Sequence, residues 1–488
     1  MEAILNHLFL KRFIPICSLI TLFIAPVFSQ DSVLLEGQKD SWANQRVEVW
    51  YYHDYISEVK TEVADFIMPP SGELSIAFEL NNTRQIFVEA GGLEGTLYAE
   101  PGKKYKLKLP DYKGLTKVDS LNPFYQPYRF YFGMENSNAL ELNHLITEYD
   151  LIYEDYLLNN FQAIKKNRRG SDVDTLISFL DSLFSKAIAA NKFFDNYRTY
   201  KEARLRQISY VHDDNYIIRD YFDNEPIAYY NPSYFEIFNT LFDNYIERYS
   251  LTYDGRDLAY NIARAKSYQR AMADLKNNLA LRNDTLRELV LIKGLRDALY
   301  KNTFPKSSLF QTLDSVRIQS NVRIHKEIVR EIVKERKKLL KGNKPPAFSI
   351  QMGDTLNFTF PAKSDRFVLL NFINIESFSV QKVLPQINQI KDKHKDVLKV
   401  VSINVGSKYE NAEKYFRQHN YNWLLLNGNQ LDEDLLDDYK IKAYPSYYLV
   451  DESGTLVLNP TPGPDNNFEW YFFKILKKRE REMYRNQK

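Results

Sequence analysis

Hydrophobic positions along the chain change their period twice. Between residues 33 and 112 they alternate. In L-S-I-A-F-E-L, Leu74, Ile76, Phe78 and Leu80 are separated by small or polar residues, the period-two pattern of a half-buried strand. Y-K-L-K-L sets Tyr105, Leu107 and Leu109 on one face and lysines on the other, and R-V-E-V-W-Y-Y is a further short strand. P-P-S-G (69–72) and E-P-G-K (100–103) read as turns, with glycine available for positive φ. Several short strands with regular turns predict an antiparallel β-sandwich over 33–112.

From about 123 to 341 the period lengthens to that of a helix. In P-S-Y-F-E-I-F-N-T-L-F-D-N-Y-I (232–246), Tyr234, Phe235, Phe238, Leu241, Phe242, Tyr245 and Ile246 recur at helical spacing. Ser233 and Glu236 have capping-box spacing. Near the end of this region Ile324, Ile328, Val329, Ile332 and Val333 form one stripe, and the charges around it predict a solvated face. G-N-K-P-P (342–346) closes the segment, with Gly342 as the expected C-cap and prolines that forbid continuation. No internal repeat is evident at solenoid periods.

Beyond 345 strands and helices alternate. F-V-L-L-N-F (367–372) and V-L-K-V-V-S-I-N-V (397–405) are continuous apolar runs, as in strands covered on both faces. Val380, Val383, Leu384 and Ile387 share one face of an intervening helix, and N-A-E-K-Y-F-R-Q-H is a second helix. A-Y-P-S-Y-Y-L-V-D and E-S-G-T-L-V-L are two strands joined by a glycine turn, and F-E-W-Y-F-F-K-I-L-K-K is a closing helix. The alternation predicts a covered α/β sheet over 345–488. The expected chain is thus multidomain: a β-sandwich, an α-helical region and an α/β unit.

Composition narrows the function. The net charge of +2 over 488 residues leaves no nucleic-acid footprint. Residues 1–29 place Lys11 and Arg12 before a short, proline-broken apolar run, with Val27 and Ser29 at the small-residue positions of a signal-peptidase site. That predicts a leader with a mature start at Gln30, or, if it is retained, an N-terminal anchor. Cys17 is the single cysteine and lies at the start of the apolar run, whereas a lipidation site should follow it. Cleavage would leave a chain with no thiol and no disulfide. No later segment reaches the apolar length of a membrane span, so the expectation is an exported chain in the periplasm or at the periplasmic face of the outer membrane.

Four pieces of 345–488 carry a family resemblance: P-P-A-F-S-I, V-L-L-N-F, the L-P inside the first helix, and Y-K-I-K-A-Y-P-S-Y-Y-L-V-D-E-S-G. In that order they resemble the TlpA/ResA-type thioredoxin-fold proteins of bacterial envelopes. Two stretches upstream, G-G-L-E-G-T-L-Y-A-E-P-G-K-K-Y and Y-Y-N-P-S-Y-F-E-I-F, resemble the β and helical extension that some such proteins carry. The resemblance implies a thioredoxin fold and a cis bond before Pro445. It also implies an active-site turn after Asn371 and Phe372. Ile373 and Glu376 stand at the family's two tryptophan positions, and its two cysteines fall on Ser377 and Val380. Thiol–disulfide exchange needs an attacking thiolate and a second, resolving sulfur. Neither residue supplies one, so the site is expected to be vestigial and the protein no oxidoreductase.

What the resemblance leaves is a peptide-binding edge at Tyr444, Pro445 and Ser446, where an extended client could pair by backbone hydrogen bonds. The alternative is that Pro445 only shapes the turn. Ser377 as a nucleophile would need a base, for which His394 and His419 are the candidates; its alternative role is a helix N-cap. H-D-D-N (212–215) and D-E-D-L-L-D-D (432–438) lack calcium-loop spacing, and G-G-L-E-G (91–95) needs only a turn. No cofactor and no metal is expected. Three functions follow: a redox-inactive envelope docking module with a protein or peptide partner; a non-thiol accessory that presents peptides to a separate oxidoreductase; or binding of an envelope polymer or outer-membrane complex through the β region.

Overall fold

The computed structural model describes residues 31–486, except 113, 117–118, 120–124, 136–137, 168–169, 210–212, 302, 354–355, 432 and 460. The expected leader 1–29, with Cys17, Val27, Ser29 and the start at Gln30, lies outside the described residues. Among the described residues no helix is long and apolar enough to cross a membrane.

The first region is strand-rich. Its strands are β1 (Ser32–Gln38), β2 (Arg46–Tyr52), β3 (Lys60–Ile67), β4 (Glu73–Glu79), β5 (Arg84–Ala90), β6 (Leu93–Ala99), β7 (Lys104–Lys108), β8 (Tyr128–Tyr131) and β9 (Gly133–Met134). They form two sheets, in the orders β4-β1-β7-β9 and β3-β2-β5-β6-β8. Leu74 and Ile76 on β4, and Tyr105 and Leu107 on β7, turn inward as their alternation predicts, against Val47, Val49 and Trp42. The Trp42 indole N–H donates to the Pro110 carbonyl at 2.8 Å, so burying the ring leaves no orphan donor.

Two pairings correct the wholly antiparallel expectation. β1 runs parallel to β7, and β6 runs parallel to β8. The physical reason is that β1 lies inside its sheet, between β4 and β7. A parallel neighbour needs a long crossover, and the strands of the opposite sheet supply it. β8 and β9 also occupy 128–134, where helix was expected from about 123.

Helices follow, the first running from Leu142 to Asn167. Asn143 ties it to the β region: its Nδ2 donates to the Tyr98 carbonyl at 2.9 Å and its Oδ1 accepts the Tyr98 N–H at 2.6 Å. The aromatic run at 232–246 divides into α1 (Pro232–Leu241) and a short helix from Tyr245, because Asn244 between them is left-handed with φ +50°. The expected capping box is not used. Asn231 caps α1 by accepting the Ser233 N–H at 3.2 Å, and the Ser233 hydroxyl donates to Asn231 Oδ1 at 2.7 Å. Pro232 fixes the first helical position, which moves the cap one residue upstream of the proline.

α2 (Asp284–Lys301) is the central helix, buried on nearly every side, and α3 (Arg323–Lys337) packs its apolar stripe against the same core. Gly342 is not the C-cap of α3. It lies five residues beyond Lys337 at φ +93°, and its N–H donates to the Leu456 carbonyl at 2.8 Å. Together with the Asn459 Nδ2 bond to the Leu339 carbonyl at 2.6 Å, this ties the linker to the last region.

That region opens with a hairpin, β10 (Phe348–Met352) and β11 (Leu356–Phe360). A five-stranded sheet follows, built from β12 (Phe367–Ile373), β13 (Leu398–Asn404), β14 (Leu424–Asn427), β15 (Ser446–Val450) and β16 (Leu456–Leu458). Its order is β14-β13-β12-β15-β16, with β12, β13 and β14 parallel and the last two strands antiparallel. β12 is buried at every residue, as its unbroken apolar run requires. One face packs on α4 (Phe378–Lys393), α5 (Tyr409–Gln418) and α6 (Phe468–Asn486). The other packs on the hairpin and on Tyr439.

Candidate functional site

The corner between β12 and α4 is built by asparagines. Asn374 Oδ1 accepts the Glu376 N–H at 3.1 Å, and the Asn374 carbonyl accepts the Ser377 N–H at 2.9 Å. Asn404, at the end of β13, accepts the Ile375 N–H at 3.1 Å. These bonds bend the chain so that Ser377 stands at the N-cap of α4 and Val380 lies one turn on, fully buried among the helix-side core residues.

Ser377 has the N-cap position but not the expected N-cap bond. Its side chain caps no helix N–H. Its Oγ lies 2.8 Å from Ser379 Oγ, and Ser379 Oγ donates to the Tyr444 carbonyl at 2.9 Å. Each hydroxyl has one proton. Ser379 gives its proton to the carbonyl, so Ser377 gives its own to Ser379. The chain of bonds ends on an amide oxygen, which is no general base, and Ser377 is left unactivated.

The two nominated histidines are elsewhere. His394 is the C-cap of α4, the helix whose N-cap is Ser377. At ~1.5 Å per residue that puts them roughly 26 Å apart. His394 pairs instead with Glu469 at 2.9 Å. The start of α5 approaches the site, where Asn411 Nδ2 donates to Glu376 at 3.3 Å, but His419 caps the far end of that helix.

Tyr444–Pro445 is a cis peptide, as the resemblance implies. It brings the Tyr444 carbonyl to the first turn of α4, and burial pushes the Tyr444 phenol up to about 12. Ser446 pairs across to Phe372 on β12 and its hydroxyl donates to the Ala443 carbonyl at 2.7 Å. Position therefore joins Ser377, Val380, Tyr444 and Pro445 at one corner. Sequence reading missed two neighbours, Ser379 and Phe378. Ser379 gave no signal, since its partner is 65 residues away. Phe378 is 80% exposed on the first turn, an apolar residue at a position that helix periodicity leaves outside.

The acidic stretches resolve into structural roles. Asp213 caps a short helix, accepting the Tyr216 N–H at 2.8 Å, and Asp438 pairs with Lys338; His212 and Asp432 lie outside the described residues. Gly91 and Gly92 form the turn between β5 and β6, as the sequence reading of a simple turn expects. Among the described residues no group of three His, Cys, Asp or Glu is placed to hold a metal.

Asn371 lies beneath the corner on β12, on the helix-side face, and is fully buried. Neither its Oδ1 nor its Nδ2 has a protein partner, and the hydroxyl of Tyr447, directly across on β15, has none either. A buried amide without partners costs about 1–3 kcal/mol. Asn371→Val, β-branched and apolar, is expected to stabilise the chain by about 1–2 kcal/mol, read as a rise in the urea midpoint at constant slope.

Comparison with known proteins adds the following. Residues 365–456 match a family model described as thioredoxin-like. No curated protein matches the chain. Among solved structures, a Chlorobium tepidum chain described as a thiol:disulfide interchange protein DsbE is 26% identical over 25% of this chain and 84% of its own, with a TM-score of 0.22. A thiol:disulfide interchange protein from Bacteroides sp. is 20% identical over 26% of this chain and 86% of its own, TM-score 0.23. A thioredoxin-like protein from Bacteroides caccae is 16% identical over 53% of this chain and 92% of its own, TM-score 0.30. These scores are low, so the fold assignment rests on the family match and on the strand order.

Proposed function

We propose that this chain, whose C-terminal domain is thioredoxin-like, is an exported, redox-inactive binding or docking protein of the bacterial cell envelope. One observation carries the reading. Ser377 and Val380 stand at the strand-to-helix corner, the two positions onto which the resemblance lays the family's cysteines, and the Ser377 hydroxyl is tied through Ser379 to the Tyr444 carbonyl. Oxygen and hydrocarbon cannot form the mixed disulfide on which exchange depends.

The bonding at the corner weighs against the accessory reading, in which clients pair along Tyr444, Pro445 and Ser446. The Tyr444 carbonyl, which such a client would use, already accepts from Ser379. Exposed aromatics support a contact surface instead: Phe378 on α4, and Trp470 and Phe473 on α6, each at least half exposed. We take the chain as a leader (1–29), a β unit that starts at 33 and, beyond the expected end at 112, takes in β8 and β9 to 134, a helical unit to 341 that starts at 142 rather than the expected 123, and the thioredoxin-like unit (345–488). No observation favours binding through the β unit over the last.

The chain from Gln30 onward is expected to reduce insulin no faster than buffer. Turnover above buffer would end the proposal. Co-purification from native membranes should recover a partner that is lost on Phe378→Ala together with Trp470→Ala.

A further inference from the structure

We propose that a cleft at the opposite end of the α/β sheet binds an organic anion, an acid group on an apolar or aromatic body. This goes beyond the docking reading and does not depend on it. The cleft has a volume of about 610 Å³, within the range of sites that enclose small ligands. It opens where β14 begins late: β13 pairs with β14 only from Val401 onward, so the cleft is bounded by the open start of β13, the β11 wall and the end of α4. Lys391 near the end of α4 and Ser377 at its start are separated by roughly 21 Å of helix.

The lining has two chemistries. The apolar part comes from both faces of the sheet at this open edge, Phe360 and Val368 on the hairpin side and Val400 and Trp423 on the helix side. Its rim carries Lys363, Arg366, Lys391, Lys395 and Lys399 against one lining carboxylate, Asp392. The carbonyls at the end of α4 attract cations, which accounts for Lys391 and Lys395. It does not account for Lys363 and Arg366 on the loop before β12, or for Lys399 on β13. Three elements thus bring positive charge to one apolar-lined sheet edge.

Part of that charge is already used. Lys399 pairs with Asp365, and Lys391 lies 3.0 Å from Asp392. Lys363 and Lys395 are exposed and have no ion pair among the described residues. Arg366 donates through Nη1 to the Lys395 carbonyl at 2.6 Å, while its buried Nε lies 3.3 Å from Asp365 without a hydrogen bond. An inorganic anion would make no use of the apolar lining, and a neutral apolar molecule would make no use of the rim. An organic acid uses both.

Isothermal titration of the purified chain with three probes tests this: naphthoate (body and charge), naphthylmethanol (body alone) and acetate (charge alone). Naphthoate is expected to bind one per chain, at least about tenfold tighter than either control, and more weakly as salt rises. Lys363→Glu with Lys395→Glu should weaken naphthoate about tenfold and leave naphthylmethanol unchanged. Both lysines are exposed and unpaired, so the melting curve should not move. The proposal is overturned if naphthoate does not bind at millimolar concentration, if it binds no tighter than either control, or if the charge reversals leave its affinity unchanged.

Discussion

Ser377→Cys with Val380→Cys is expected to turn a chain without turnover into one that catalyses insulin reduction. The corner already has what the chemistry requires apart from sulfur. Positions 377 and 380 lie at the N-cap and on the first turn of α4, three residues apart, a spacing at which two side chains meet on one helix face. The helix N-terminus favours an anion, which lowers a thiol from its ordinary value of about 8.5 toward the reactive range. Val380 is buried, so its replacement supplies a protected resolving sulfur and costs about 1 kcal/mol for the lost methyl contact.

The single variants separate the roles. Ser377→Cys alone should trap a mixed disulfide without turnover, and Val380→Cys alone should stay inert. The measurements are the insulin-turbidity assay and the mass loss on disulfide closure. If the disulfide closes and insulin is still not reduced, then substrate access is blocked, with Phe378 and the Ser379–Tyr444 bond as the obstacles. If the parent chain already reduces insulin, the proposed function is wrong.

Glu288→Leu is expected to destabilise the helical region by about 3–5 kcal/mol. Glu288 on α2 is 5% exposed. Its carboxylate accepts from His325 Nδ1 at 2.6 Å, from the Ser320 hydroxyl at 2.5 Å and from the Tyr268 hydroxyl. His325 is itself fully buried, and its Nε2 lies 2.9 Å from the Tyr229 hydroxyl. A leucine would fit the apolar surroundings but leave several buried donors without an acceptor, the costlier side of a broken network. Glu288→Gln keeps one acceptor oxygen and should lose less.

The pH dependence follows from the same bonds. Burial raises the Glu288 pKa, but the hydrogen bonds from His325, Ser320 and Tyr268 outweigh it, and the net value falls below the ordinary 4.5. A carboxylate whose folded pKa is depressed adds stability that is fully present above its unfolded pKa and lost as pH falls through the folded value. The parent's advantage over Glu288→Gln should therefore be level above about pH 5.5 and shrink on acidification below 4.5. Urea midpoints across that interval read it. A constant gap would show that ionisation of Glu288 contributes nothing.

Sequence alone determined the elements that a repeating pattern can encode. The unbroken apolar run of β12, the helical spacing of Val380, Val383, Leu384 and Ile387, and the alternation on β4 and β7 each report which face is buried, because burial selects side chains at the period of the backbone. That positions 377 and 380 carry no sulfur was equally plain, since no fold can supply an absent atom. Tertiary structure decided which groups meet. The parallel pairs β1/β7 and β6/β8, the cap at Asn231, the route from Ser377 through Ser379 to Tyr444 and the network around Glu288 all join residues by proximity in space. So does the cationic rim, whose members come from separate elements. The hairpin strands F-S-I-Q-M and L-N-F-T-F do alternate and were legible as strands, whereas β14, L-L-L-N, has no alternation and its place follows from the sheet it extends. A period records exposure to the core, but a hydrogen-bond partner is chosen only once the chain has closed on itself.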